Sequence, residues 1–369
     1  MSLAGDSSPT TAADGSAVVR GTAHGKVILF GEHAVVYGVP ALAVGIDRGA
    51  WAEVDPGASA GADARAKASP TPASGSVLHV RGWDVTVRED AGDDGPPLAR
   101  AFRDVLAVTR SEQQAAGHAP VGTVHVEAEA DLPPGGGLGC SAALGVAVAR
   151  ALDQSASPES IATRVQAWER VFHGNPSGID AAVASFGGCV LFTRGEGEAA
   201  PTIERVRVSE TFHLCIGNTG QVSSTKSMVE SVARIRERRP EITQKTFDAI
   251  HTLVKNARLA IEDHDLRAIG QLLDLNQMLL SGLFLSTPEI EQMCSTARTA
   301  GALGAKLTGG GGGGCVVALV VDAARGADVL AAWKAEGYDG FSAMVKAEVQ
   351  DVRAILQKLH ERVLAAGSP

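Results

Sequence analysis

Between an alternating stretch at 122–130 and an Ala/Val-rich run at 140–152 stand Leu132-Pro133-Pro134-Gly135-Gly136-Gly137-Leu138-Gly139-Cys140-Ser141. Val124 and Val126 fall on one face of a strand, and the run after the glycines has the length and composition of a compact helix. A strand that passes through glycines straight into a helix can aim backbone N–H groups at an anion, and the helix dipole adds to the attraction. Tight strand-to-helix packing is the alternative, and the residues by themselves leave both open. Two other glycine loops are excluded. Gly137-x-Gly139-x-x-Ala142 has dinucleotide-binding spacing, but two prolines part it from the preceding strand. Ser157-Pro158-Glu159, where a ribose-binding acid is needed, reads as a helix start. Gly21-Thr22-Ala23-His24-Gly25-Lys26 is one residue too short for a Walker A loop and lacks a hydroxyl residue after the lysine.

Three further constellations carry chemistry. Lys306-Leu307-Thr308-Gly309-Gly310-Gly311-Gly312-Gly313-Gly314-Cys315 holds six consecutive glycines. Ordering them costs much chain entropy, so an ordered role requires backbone access to a ligand or a neighbour. A flexible linker is the alternative, opposed by the directly abutting apolar flanks. Glu169 precedes His173-Gly174-Asn175-Pro176-Ser177-Gly178-Ile179-Asp180, two turns followed by an apolar segment at 181–186. Ser177-x-x-Asp180 matches a capping box, yet a carboxylate fixed at a helix start is also well placed to orient a hydroxyl or accept its proton. Near the N-terminus, Lys26 sits just before a buried strand at 27–30, and Glu32-His33 just after it. An edge lysine and a satisfied, half-buried imidazole are the plain alternatives there.

Composition narrows the function classes. The chain has 369 residues, 45% hydrophobic and 20% charged, with 33 Lys plus Arg against 42 Asp plus Glu for a net charge of −9. That is ordinary globular composition with material for two domains, and its acidic balance argues against nucleic acid or an anionic membrane as partner. No apolar run approaches the roughly 18 residues of a membrane span, and the N-terminus lacks a signal-peptide pattern. Residues 1–17 are expected to be a disordered tail and 55–76 a surface loop. Five scattered cysteines without metal spacing suit a reduced, cytoplasmic compartment. A strand pair is predicted over 77–87, a helix over 98–109 and a strand over 212–216. A long helical region follows from 224 to about 300, broken at Pro240, Asp265 and Pro288. The loop at 308–314, a strand over 315–321, a helix over 326–336, a strand over 341–349 and a last helix over 351–366 complete the chain. This second half implies a small sheet with helices on one face.

Four blocks in a fixed order resemble the GHMP small-molecule kinases: Gly25-Lys26-Val27-Ile28-Leu29-Phe30-Gly31-Glu32-His33-Ala34-Val35-Val36-Tyr37-Gly38, then residues 134–143, then 173–180, then 306–315. They span most of the chain from about residue 18 to 350. Ala34-Val35 after Glu32-His33 points away from galactokinase-like members, in which Thr-Asp is expected, and towards the branch acting on mevalonate. The resemblance implies an α+β, two-domain α/β protein: an N-terminal mixed-sheet nucleotide domain over 18–205 and a C-terminal ferredoxin-like α+β domain over 206–369. It implies ATP and Mg²⁺ as cofactors, with Pro134, Gly135, Gly136, Gly137, Leu138, Gly139, Cys140 and Ser141 cradling the ATP phosphates, and Gly309, Gly310 and Gly311 closing over them. Ser141 and Glu169 would hold the metal, a hard cation suited to oxygen ligands. Asp180, ionised, would act as base or orienter for the primary hydroxyl, with Lys26 beside it. Glu32, His33 and Thr225 would lie around the substrate.

Three departures stand out. Cys140 takes the place of the first serine in the family's Gly-Ser-Ser. Gly309-Gly310-Gly311 replaces the usual Gly-Ala-Gly, and His24-Gly25-Lys26 the usual Pro-Gly-Lys. The expected reaction is phosphorylation of the 5-hydroxyl of mevalonate, for isoprenoid synthesis. Rivals are a kinase for an already phosphorylated substrate such as phosphomevalonate, which needs more basic residues than Lys26, and a non-catalytic ligand-binding member, which would be expected to lose Asp180, Lys26 or the metal ligands. A homodimer is left open.

Overall fold

The computed structural model describes residues 19–55, 75–133, 135–174, 176–195, 197, 199–221 and 224–347. The expected tail at 1–17, Pro134, the expected helix at 351–366 and nearly all of 55–76 lie outside the described residues.

β1 (Val19–Phe30) and β2 (Ala41–Asp55) form an antiparallel hairpin paired from Val19↔Val54 to Phe30↔Leu42. The sequence predicts only two short strands here, over 27–30 and 41–46, because glycines break the apolar runs. One of them is what lets the strands continue: a Cβ on Gly49 would stand 1.9 Å from the Ala23 carbonyl oxygen, beside the irregularity in pairing at His24/Gly25. Around the hairpin follow β3 (Val77–Val80), β4 (Val85–Arg88), α1 (Pro97–Ala115), β5 (His125–Ala130), α2 (Cys140–Leu152), α3 (Pro158–His173), α4 (Ile179–Phe186), β6 (Cys189–Thr193) and β7 (Thr202–Val206). The sheet order is β4-β3-β5-β2-β6-β7, with β1 on β2. β3 and β5 pair in parallel and the other neighbours antiparallel, so the sheet is mixed as expected. α2, apolar nearly all round, is buried against the hairpin, the placement such a helix requires.

The second half runs β8 (Phe212–Asn218), α5 (Thr225–Arg238), α6 (Pro240–Glu262), α7 (Leu266–Gly282), α8 (Pro288–Thr299), β9 (Gly304–Thr308), β10 (Cys315–Val320), α9 (Ala323–Ala335) and β11 (Asp339–Val345). Its sheet, β11-β8-β10-β9, is antiparallel throughout and has the ferredoxin-like strand order, the first crossover swollen to four helices. The predicted helix breaks fall where expected for physical reasons. Pro240 and Pro288 open α6 and α8, and the Asp265 side chain caps α7 by accepting from the Ala268 N–H. α9 starts earlier than the pattern suggests because Asp322 caps it from the Arg325 N–H, and β11 is shifted a few residues upstream. Strands β6, β7 and β9 are not anticipated by periodicity: each has only five residues, and β9 carries a lysine at its centre.

The two sheets share one continuous apolar core that includes Phe102, Trp168, Phe212 and Trp333. β11 docks on β2, where the Met344 N–H donates to Asp47 Oδ1 at 2.8 Å and the Arg48 guanidinium lies 4.2 Å from the Phe341 ring centre. This docking holds the two halves in a fixed relation and brings their glycine loops face to face.

Candidate active site

Lys26 lies inside β1 opposite Gly45, its side chain only 4% exposed, so it is not the edge residue that a lone lysine suggests. Its backbone N–H donates to the Leu138 carbonyl at 2.9 Å, which fastens the glycine loop to β1. Gly135, Gly137 and Gly139 have φ of +73°, +73° and +71°, and a Cβ on Gly139 would press on the Lys26 Cβ at 3.3 Å. Only glycine allows the loop this path against the lysine. α2 begins at the next residue without a side-chain cap, leaving its first N–H groups and positive dipole end free for an anion. The Lys26 ammonium then bridges two elements: Nζ is 3.2 Å from the Gly137 carbonyl and 2.9 Å from Asp180 Oδ1.

Asp180 stands in the first turn of α4, and the capping box does not form. Gly178 at φ +90° is the N-cap, Ser177 Oγ accepts from the Ile179 N–H at 3.4 Å, and the Asp180 carboxylate turns to Lys26. Beside it lies a second acidic group. Glu169, 2% exposed on α3, accepts from Ser141 Oγ at 2.7 Å, and the Trp168 indole N–H approaches the same hydroxyl at 3.3 Å. His173, one turn along, is 3.6 Å from its other oxygen. Burial pushes the Glu169 carboxyl up to about 7, the Asp180 charge adds to the rise, and the Ser141 hydrogen bond and Lys26 oppose it. Cys140 is a buried thiol pushed up to about 11, first by desolvation, so it is inert packing at the loop–helix junction.

The other half supplies the facing wall. A Cβ on Gly137 would be 3.7 Å from the Thr308 carbonyl, and one on Gly310 would be 3.1 Å from Thr225 Oγ1, at the exposed start of α5. The glycine run is therefore an ordered loop, not a linker. The His33 imidazole is 6% exposed, with backbone φ +60°, and its Nε2 lies 2.8 Å from the Gly310 carbonyl oxygen. A carbonyl only accepts, so Nε2 carries the hydrogen and Nδ1 is a bare acceptor, buried and without a partner among the described residues. Burial lowers its pKa, which keeps the ring neutral. Glu32 is placed differently from the expectation of a group lining the cleft. Its carboxylate is fully buried, paired with Lys306 Nζ through Oε1 and accepting from Asn276 Nδ2 at 3.2 Å through Oε2. Removing one partner from such a pair costs about 3–5 kcal/mol, because it strands a buried charge.

The cleft thus joins an anion-binding helix start, an ion-paired carboxylate beside it, and a metal-compatible hydroxyl–carboxylate pair. The comparisons agree with this geometry. Residues 102–188 match the model of the GHMP kinases N terminal domain, and residues 257–339 that of GHMP kinases C terminal. Mevalonate kinase of Pyrococcus abyssi is 33% identical over 311 residues, 82% of this chain and 88% of that one. The chain belongs to the GHMP kinases. Another relative of this GHMP kinase, mevalonate kinase of Thermococcus onnurineus, is 34% identical over 82% of this chain and 89% of its own. The crystal structure of L. major mevalonate kinase in complex with R-mevalonate superposes with a TM-score of 0.71 at 26% identity, covering 95% of this chain and all of that one. Streptococcus pneumoniae phosphomevalonate kinase, in complex with phosphomevalonate and AMPPNP, shares the fold with a TM-score of 0.70 at 19% identity, covering 89% of this chain and 99% of that one.

In this GHMP kinase the structure brings Lys26, Asp180, Ser141, Glu169, His33, Thr225 and both glycine loops together. Lys306, Asn276, Thr308 and Trp168 also hold the site, although none of them is assigned a role by the sequence alone. A lysine and a threonine alternating within a short apolar strand, Lys306-x-Thr308, is the one pattern that could have marked the first and third. Among the described residues no helix is long and apolar enough to cross a membrane.

Proposed function

We propose that this GHMP kinase transfers the γ-phosphoryl group of ATP to the 5-hydroxyl of mevalonate. The observation that carries the reaction type is the Lys26–Asp180 ion pair, 2.9 Å apart, at the mouth of the glycine loop. The 33–34% identical mevalonate kinases support the choice of substrate. Phosphoryl transfer asks little covalent chemistry of a protein and much alignment and charge neutralisation. Asp180 accepts the hydroxyl hydrogen and aims its oxygen, and Lys26 holds Asp180 while contributing positive charge next to the loop. His33 Nδ1 accepts from a second hydroxyl of the substrate, and Thr225 and Gly310 bound the same pocket. The backbone of Gly135 to Ser141 and the start of α2 bind the phosphates, and Gly309 to Gly311 close from the opposite wall. No disulfide joins any of the five cysteines and all are buried, in keeping with a cytoplasmic enzyme.

Ser141 and Glu169 fit Mg²⁺. They offer hard oxygens 2.7 Å apart, while no cluster of three or more His, Cys, Asp or Glu is present among the described residues to form an all-protein cage. That is the open site expected of a cation that keeps waters and substrate phosphates as its other ligands. When bound, the ion neutralises charge on the phosphates. Glu169 must be ionised to bind it. Because the carboxyl is pushed up to about 7, apparent Mg²⁺ affinity is expected to fall about tenfold per pH unit below that value and to level off above it. Activity against Mg²⁺ concentration at pH 6, 7 and 8 checks this, and Glu169→Gln should abolish the slope. The sign for stability is opposite. The fold binds this proton more tightly than the unfolded chain does, so the metal-free protein loses stability from this group as pH rises from its ordinary 4.5 through 7.

The test of the substrate is ADP release measured with mevalonate and phosphomevalonate side by side. Turnover with mevalonate alone supports the reading, and preference for phosphomevalonate replaces it.

A further inference from the structure

Lys306 is fully buried in β9, and the phosphoryl-transfer chemistry does not use it. Its ammonium has two partners, the Leu307 carbonyl and Glu32 Oε1. Glu32 belongs to the turn after β1, in the other half of the molecule, yet both its oxygens are held by the second half, Oε2 by Asn276 on α7. The contact is part of a seam. Lys306 and Thr308 alternate along β9 and so share one face, and Gly310 follows in the turn just beyond the strand. Thr308 Oγ1 donates to the Ile28 carbonyl at 3.0 Å and lies 3.2 Å from the Ile28 N–H that donates back, and Gly310 accepts from His33.

Neutral groups such as Thr308 suffice to join the halves. A buried cation carries a large desolvation cost, and for packing alone an apolar residue does as well or better. What an ion pair at full burial adds is direction. It fixes the Glu32 carboxylate at one point, and with it the next residue, His33, whose φ of +60° persists only where the surroundings impose it. Within the turn the Val35 N–H donates to the Gly31 carbonyl at 3.0 Å, the Ala34 N–H to the Glu32 carbonyl at 2.6 Å and the Val36 N–H to the His33 carbonyl at 3.1 Å. The side-chain links from the turn to the second half are Glu32 to Lys306, Glu32 to Asn276 and His33 to Gly310, so two of these three pass through Glu32.

We propose that Lys306 is a positioning residue of this kinase: by clamping Glu32 it sets the His33 imidazole against Gly310, and so places the Nδ1 acceptor for the alcohol substrate. It touches neither substrate nor phosphate. The proposal rests on the mevalonate reading of the cleft, through His33.

Lys306→Met and the double variant Glu32→Gln/Lys306→Met test it, with folding followed by thermal melts. In the single variant an unpaired carboxylate is driven out of its site and carries His33 with it. KM for mevalonate is expected to rise about tenfold or more, while KM for ATP stays within about twofold. The double variant removes both charges and lets the new side-chain amide stay on Asn276, so its KM for mevalonate should rise only about threefold, a non-additive recovery. A purely structural lysine would lower the melting temperature without separating the two KM values. Folded Lys306→Met with all constants within twofold of wild type overturns the proposal, as does a parallel rise in both KM values. If the single variant does not fold, a double variant with wild-type KM for mevalonate overturns it. Wild-type protein that fails to phosphorylate mevalonate overturns the substrate reading and this proposal with it, whereas wild-type turnover beside an unaltered Lys306→Met overturns this one alone.

Discussion

Asp180→Asn is expected to lower kcat for mevalonate about 10³-fold while KM for ATP stays within about threefold, because the amide keeps the shape and loses the charge that accepts the hydroxyl hydrogen. Asp180 is 31% exposed and its partner Lys26 retains the Gly137 carbonyl at 3.2 Å, so the fold should tolerate the change with little shift in melting temperature. A near-wild-type kcat would remove Asp180 from the reaction. The substitution has a second readout. The Asp180 charge is one of the two causes that raise the Glu169 carboxyl, so Asp180→Asn should bring it down, moving the pH dependence of Mg²⁺ activation to lower pH.

Lys26→Met is expected to cost about 10²- to 10³-fold in kcat/KM, and to act on Glu169 in the opposite sense. The methionine keeps the buried stem beside Gly139 but removes the cation that meets both Asp180 and the Gly137 carbonyl. Asp180 and Glu169 then repel without a mediator. Lys26 is among the influences that hold the Glu169 carboxyl down, so its loss should push that carboxyl higher and weaken Mg²⁺ activation at neutral pH. Steady-state kinetics over a pH range on both variants separates the two directions. If both moved the Glu169 titration the same way, the triangle of charges would be wrongly drawn.

Much of this site is legible in the residues because its chemistry is backbone chemistry. Gly135, Gly137 and Gly139 are demanded by positive φ, and Ser157, Asp265 and Thr287 announce their helices through caps on Ser160, Ala268 and Ile290. Helix α2 runs over the residues predicted, since an Ala/Val run after a glycine loop has few other ways to be buried. What the sequence hides is whatever depends on a partner far along the chain. Ser177 and Asp180 have capping spacing, and only the lysine 154 positions upstream draws the carboxylate away. Glu32 reads as a cleft residue until Lys306 and Asn276 are seen on its oxygens. β1 and β2 look short because Gly25, Gly45 and Gly49 dilute their apolar pattern, although close backbone approach at Gly49 is what the hairpin needs. Short strands such as β9 are decided by their neighbours rather than by their own five residues.

The chemistry proposed has the Asp180–Lys26 pair deliver a primary hydroxyl to phosphates held at the start of α2. Phosphorus NMR of the product from ATP, Mg²⁺ and mevalonate is the decisive check. A new phosphomonoester signal split into a triplet by the two protons of the adjoining CH₂ group, absent with Asp180→Asn over the same period, is the predicted result. Release of inorganic phosphate alone, or a phosphoester signal without that splitting, would contradict it.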